Sequence, residues 1–245
     1  MLIVLNMRYL VENPFIQQEC LRLGLEKAPI PTNMYESYAQ CNEDILVEAM
    51  LRALTRRAGR DMKSVRYIEI GANHPVQTSA TYLLNRVYGA CGVLVEANPR
   101  LIDALKKFRP NDIVLNCAIT TSHVERVDIF VHEKNELSSM SVEHIKRFAN
   151  WGGAEKIVEK VSIEAMEINK FLKKFFGDRI DFLSIDVEGF DLDLVKTMDP
   201  IFQPFIIQCE HEGQFDKFDA VLGQKGYSLF AITDVNVIYT RAGIA

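Results

Sequence analysis

"YIEIGANHPV" (residues 67–76) is the stretch on which the reading of this chain turns. Apolar Ile68 and Ile70 bracket Glu69, and the apolar run begins at Val65. That pattern reads as a short buried strand. It breaks at Gly71 and continues through Ala72, Asn73 and His74. Two settings place a carboxylate at a strand's end beside a glycine. One is an ordinary strand exit. The other is the floor of a cofactor pocket, because glycine has no Cβ and a ligand can approach its backbone closely.

Outward from this stretch the same texture recurs. Strands are predicted at 65–70, 92–96, 112–118, 180–185 and 205–209. Helices are predicted at 78–88, 99–108, 164–176, 190–198 and 214–224. Strands that read as near-continuous apolar runs are usually covered on both faces, as in parallel sheets. Alternation of strand and helix implies right-handed crossovers and a doubly wound sheet. At the end, "YSLFAI" and "VNVIYTR" flank a short turn and predict an antiparallel hairpin. The fold class is therefore α/β: Rossmann-like, mostly parallel, closed by a hairpin, with helices on both faces. Residues 124–131 add a possible strand, and the polar stretch after it, through "NELSSMS" to "NWGG", is expected to be a loop over the site.

Before the core, residues 1 to about 33 read as irregular, and "APIPTN" with its two prolines disfavours a helix. "NEDILVEAMLRALTRRAG" then repeats apolar residues at helical spacing and stops at Gly59. The expected organisation is an extension over 1–60 packed on one domain over 61–245.

Bulk properties narrow the function. With 245 residues, 48% apolar and 25% charged, the chain suits one large globular domain. The net charge of −5 and the lack of a long basic block argue against a nucleic-acid substrate. Five cysteines, an odd number with no CxxC pair, suit reduced thiols in the cytoplasm. The N-terminus does not read as a secretory signal, and no apolar run approaches the ~20 residues that span a bilayer.

In open α/β sheets ligands bind beyond the carboxyl ends of the strands. The predicted strand exits are polar: Glu69 to Asn73, Glu96-Ala97-Asn98, Asn116-Cys117-Ala118, Asp186 to Gly189, and Glu210-His211-Glu212. A carboxylate at Glu96 has two acceptor oxygens for the two hydroxyls of a ribose. A nicotinamide dinucleotide prefers G-x-G-x-x-G after the first strand, and "GANHPV" supplies one glycine. The missing glycines favour a nucleoside cofactor without phosphate. The acids Glu69, Asp186 and Glu188 suit the positive sulfonium and ammonium of S-adenosylmethionine.

The motifs "YIEIGANHPVQTSATYLL", "GVLVEANPRLIDALKK", "NCAIT" and "DFLSIDVEGFDLDLVKTMD" resemble the FkbM-type family of S-adenosylmethionine-dependent methyltransferases. "ESYAQCNEDILV" resembles the segment that precedes the core in many members. The resemblance runs from about residue 36 to 240, with "DVEGFD" its most specific part. It implies a seven-stranded sheet ending in an antiparallel hairpin. It also implies methylation of hydroxyl oxygens on sugars, polysaccharides or natural products. By the same resemblance Gly71, Ala72 and Asn73 line the cofactor and Glu96 holds the ribose. Asn116 or Cys117 lies near the adenine, and Asp186 faces the methionine end. Ala97 stands where the family usually has proline, and His74 where a small polar residue is commoner.

An alcohol acceptor needs its proton removed by a base or by a metal. The base candidates are His211, Glu188, Glu210 and Asp186, with His211 closest to neutrality by type. Metal binding is not expected, although Asp186, Glu188, Glu210 and His211 together offer ligands for a hard divalent cation. Gln40 and Asp44, four apart, would share a helix face and cap the cofactor. Ser139 in the polar loop is a further site candidate. The rival functions are an NAD-dependent oxidoreductase or epimerase, and an inert cofactor-binding domain.

Overall fold

The computed structural model describes residues 36–175 and 179–241. The irregular segment expected over 1–33 lies outside the described residues. The first helix, α1 (Glu43–Arg57), leads into β1 (Arg66–Ile70), α2 (Tyr82–Tyr88), β2 (Cys91–Glu96), α3 (Ile102–Phe108) and β3 (Ile113–Asn116). After β4 (Ala118–Thr120) and β5 (Arg126–His132) come α4 (Val142–Lys146), β6 (Ile157–Glu167) and α5 (Ile168–Phe175). The chain closes with β7 (Phe182–Ile185), α6 (Asp191–Thr197), β8 (Ile206–Glu210), α7 (Phe215–Gln224), β9 (Tyr227–Ile232) and β10 (Asn236–Arg241).

Seven strands form one sheet in the order β3-β2-β1-β7-β8-β10-β9. The first five of that order run parallel, and β10 pairs antiparallel with both β8 and β9. This is the mostly parallel sheet with a terminal hairpin that the alternating pattern implies.

The two-residue period of each strand sorts side chains to opposite faces. Ile68 and Ile70 join Leu183, Ile185 and Ile207 in one core, under Phe171 and Leu172 of α5 and Val195 of α6. Tyr67, Leu94, Phe182 and Ile206 join the other, under Val47 and Leu51 of α1 and Leu84 of α2. Helices thus cover both faces. Each fully buried leucine among them is worth about 1.5–3 kcal/mol.

Two expectations are corrected. Residues 164–167, predicted as the start of a helix, are the end of β6, so that α5 begins only at Ile168. The strand wins there because β6 pairs antiparallel with β5 and parallel with β4, in a second sheet of three strands. The polar stretch after β5 is not a plain loop either. It folds as short helical turns around α4, and Ser139 bridges back to Phe130. Among the described residues no helix is long and apolar enough to cross a membrane.

One buried cation organises the segment after β1. Arg109, fully buried, donates to Asp112 Oδ2 at 2.8 Å, Tyr67 Oη at 3.0 Å, Thr81 Oγ1 at 2.8 Å and Pro75 O at 3.2 Å. Its planar fork serves partners that a single ammonium cannot all reach. Arg109→Lys is expected to lower stability by about 2 kcal/mol by leaving buried acceptors unpaired. Urea unfolding of the two proteins at pH 7 reads this directly, and equal midpoints would refute it.

Candidate active site

The chain starts at the sheet centre, fills the β2 and β3 side, then crosses to β7. The order therefore reverses between β1 and β7, where open α/β sheets bind ligands. Gly71, at φ +83°, sits at this seam. A Cβ placed there would lie 1.6 Å from Asp186 O, so the two strand exits touch backbone to backbone. Asp186 N–H donates to Ile70 O at 2.9 Å, and Gly71 and Ala72 N–H both donate to Val95 O at 2.9 and 3.0 Å.

Glu96 closes β2 from the side. Its Oε2 accepts from Asn73 N–H at 2.7 Å, and its Oε1 from Asn98 N–H at 2.6 Å. Burial pushes its carboxyl upward, and these N–H donors pull it back. A carboxylate has about four lone-pair sites, so each oxygen keeps room for another donor.

Above the seam lies a cleft. Gly71, Asn73, Glu96 and Ala97 form one wall, and Cys117, Ala118, Ile119 and Ile129 give an apolar one. Burial pushes the Cys117 thiol up to about 11, so it stays a neutral, apolar surface at pH 7. A second compartment shares Gly71, Asn73, Asp186 and Glu188 with the first and adds Gln40, Thr78, Phe148 and Glu210. A small polar chamber beneath joins Gln40, Glu69, Gly71, Asp186 and Gln208. Its floor is a row in register: Glu69 beside Ser184, and Ser184 beside Gln208. Gln208 is buried, and its Oε1 has no hydrogen-bond partner among the described residues.

Acids crowd the rim of β7 and β8. Asp186 is held well above the usual carboxylate range, first by burial and then by Glu210 and Glu188. Asp191 is raised likewise by burial; its carboxylate accepts Val187 N–H at 3.1 Å and Glu210 N–H at 3.3 Å, tying the two exits together. Glu188 adopts φ +53°, a conformation side chains rarely take. Its carbonyl accepts Ser139 Oγ at 3.0 Å, and its Oε2 lies 2.9 Å from His144 Nε2. Glu210 is pushed up to about 7 by burial, then by the Glu188 and Glu212 carboxylates, with His144 opposing. Its buried Oε2 has no hydrogen-bond partner among the described residues.

The structure brings together Gln40, Gly71, Asn73, Glu96, Ala97, Cys117, Ala118, Ser139, Asp186 and Glu188 around these connected spaces. Others stand back. Ala72 and Asn98 are buried and serve the loops, and Asn116 Nδ2 donates to Glu96 O at 2.9 Å and Ala97 O at 3.1 Å. Glu69 turns away from the main cleft toward Ala80 N–H (2.8 Å) and the hydroxyls of Ser79 and Thr81. Gln40 precedes α1 and shares no helix face with Asp44, which accepts Ser37 Oγ at 2.6 Å and Tyr38 N–H at 2.7 Å.

His211 is the main correction. Its Nδ1 accepts Gly213 N–H at 2.8 Å, and its Nε2 donates to Thr233 O at 3.2 Å. Both ring nitrogens are engaged by backbone, so it has none free to take a proton or to join Asp186 and Glu210 around a cation. Among the described residues no group of three or more His, Cys, Asp or Glu is placed to hold a metal. Sequence reasoning missed His144 and Gln208. Gln208 had a signal: it is a lone amide inside the apolar run "FIIQC". His144 had none, because its partners lie 44 and 68 residues away, at Glu188 and Glu212.

A reversal point with a glycine pressed to the neighbouring exit, and a carboxylate at the end of the next strand, define a Rossmann-like nucleoside-cofactor protein. The family model for the methyltransferase FkbM domain matches residues 69–229, and the chain belongs to that family. It is an S-adenosylmethionine-dependent methyltransferase; the oxidoreductase alternative is set aside. No curated protein sequence matches the chain. Similar solved structures include an O-methyltransferase from Bacillus cereus in complex with SAH (12% identity, TM-score 0.44, 96% of each chain covered). Another is the N-terminal domain of human METTL16 in complex with SAH (11% identity, TM-score 0.42, covering 92% of this chain and 80% of that one). These distant likenesses carry no weight for substrate.

Proposed function

We propose that this enzyme transfers the donor's methyl group to a hydroxyl of a sugar, glycan or natural product, with Glu210 as the proton acceptor. One observation carries the reading: Glu210 lines the second compartment, its Oε2 has no hydrogen-bond partner among the described residues, and its carboxyl is pushed up to about 7. An acceptor that must lose a proton needs a base near neutrality, and a carboxylate so tuned provides one.

The residues present fit the donor. The backbone contact of Gly71 with Asp186 leaves no Cβ between ligand and main chain. The free lone pairs of Glu96 suit a ribose diol, and the Cys117 and Ile119 wall suits a flat base. Gln40, Asp186 and Gln208 would receive the amino-acid end. When bound, the donor supplies a methyl on positive sulfur, and the protein's work is alignment and exclusion of water. Glu188 lines both compartments and so stands where donor and acceptor spaces meet. The free thiols of Cys41, Cys91, Cys117 and Cys209 fit the cytoplasm as the place of action.

Calorimetry with S-adenosylhomocysteine is expected to show one site. Glu96→Gln should weaken it about 10–100-fold, the cost of a lost charged hydrogen bond. Incubation of the protein with labelled S-adenosylmethionine and a panel of glycosides should yield O-methyl products by mass spectrometry. Methyl found only on nitrogen or carbon would overturn the acceptor assignment.

A further inference from the structure

Glu188 and Glu210 line the second compartment and Glu212 stands two residues beyond Glu210; of these three carboxylates only Glu210 makes no ion pair among the described residues. His144 explains the difference. It is buried on α4, which Ser141 Oγ caps by accepting His144 N–H at 3.1 Å. Its Nε2 lies 2.9 Å from Glu188 Oε2. Its Nδ1 lies 3.2 Å from Glu212 Oε1, at ion-pair distance but without hydrogen-bond alignment. Arg147, one turn further along, reaches Glu212 Oε2 at 3.0 Å. The ring is also wedged against the exit of β7: a Cβ on Gly189 would fall 2.6 Å from His144 Nδ1.

We propose that His144 is a positioning residue for methyl transfer: held between Glu188 and Glu212, it fixes those two carboxylates and leaves Glu210 as the rim acid that faces the acceptor. The inference rests on the reading of Glu210 as proton acceptor.

The charged groups around Glu210 support it from every side. Asp186 and Glu188 follow β7, Asp191 opens α6 and accepts Glu210 N–H, and Glu212 follows β8. Against these acids stand His144 of α4 and Arg147, which caps that helix at its C-terminal end. Glu188 and Glu212 push the Glu210 carboxyl up, and His144 pulls it down. Removing the imidazole takes the facing cation from Glu188 and leaves Glu212 with Arg147 alone, so both carboxylates press harder on Glu210. Removing the Glu212 charge relieves one of them. The two changes act on Glu210 in opposite directions, which a purely structural histidine would not produce.

The test needs no acceptor. The full chain, labelled at glutamate side-chain carbons and saturated with S-adenosylhomocysteine, is titrated by NMR, with the Glu210 signal assigned by its loss in Glu210→Gln. The Glu210 midpoint is expected to rise by about one pH unit in His144→Gln and to fall by a similar amount in Glu212→Gln. Binding of S-adenosylhomocysteine should stay within about twofold in Glu212→Gln, because Glu212 lines neither compartment. Unchanged midpoints in folded variants would overturn the inference. If His144→Gln does not fold, His144→Asn is titrated in its place, with the same rise of the Glu210 midpoint expected. If the unaltered chain fails to bind S-adenosylhomocysteine, the donor reading falls instead, and the titration run without ligand still judges His144.

Discussion

Gly71→Ala is expected to abolish binding of S-adenosylhomocysteine and to lower the melting temperature by about 5–15 °C. Two separate penalties act. The first is conformational: at φ +83° an alanine costs about 1–2 kcal/mol. The second is steric. The new methyl would sit 1.6 Å from Asp186 O and 2.8 Å from its carbonyl carbon, both main-chain atoms of the neighbouring strand exit. No rotamer relieves that contact. β1 and β7 would have to part at their carboxyl ends, breaking the Asp186 N–H to Ile70 O bond. Together these amount to about 2–4 kcal/mol. The parting also moves the backbone that the donor must lie against. Gly89→Ala is the control: φ is +64°, but nothing lies within 4 Å of a Cβ there. It should show the conformational cost alone and leave binding intact. Equal melting curves for Gly71→Ala and Gly89→Ala would show that the strand exits do not meet as described.

How far the sequence discloses this arrangement depends on the distance over which each residue acts. The positions of Gly71 and Glu96 at the ends of β1 and β2 were legible because a strand, its last residues and the turn that follows are local. The hairpin of β9 and β10 was legible for the same reason, two alternating runs across a short turn. His211 misled because residue type and strand position said base, whereas its ring nitrogens are taken by Gly213 and Thr233, the second of them 22 residues away. Glu69 lines the small chamber with Gln40 and Asp186, and what the sequence does not report is that its carboxylate is engaged by Ser79, Ala80 and Thr81, ten to twelve residues on, and so also fastens that loop. The second sheet escaped notice because the β6 run "IVEKVSIEAME" owes its strand form to its partners β4 and β5. Burial, and the company it forces on a side chain, is what periodicity does not report.

Glu210→Gln separates chemistry from folding within a single variant. As the proton acceptor, Glu210 is active when ionised. The kcat/KM of the parent should therefore rise with pH through about 7 and level off above it. The variant should lose that limb and about 10²–10⁴-fold of kcat, with donor affinity nearly unchanged. Stability should move the other way. Burial and the neighbouring carboxylates raise this carboxyl from the ordinary 4.5 to about 7 in the folded chain. A raised carboxyl favours the folded state fully only below its unfolded value. That advantage is lost as pH climbs from about 4.5 to about 7 and the folded chain must accommodate the charge. Glutamine carries no such charge. Above pH 7 the variant should be more stable than the parent by about 2 kcal/mol, and melt about 4–8 °C higher. Near pH 4 the two should melt together. A structural carboxylate with a satisfied partner behaves oppositely, since its loss destabilises the fold at neutral pH. Melting curves at pH 4 and pH 8 beside a turnover assay therefore distinguish a poised base from a buried strut, and a variant that is both active and less stable would remove Glu210 from the reaction.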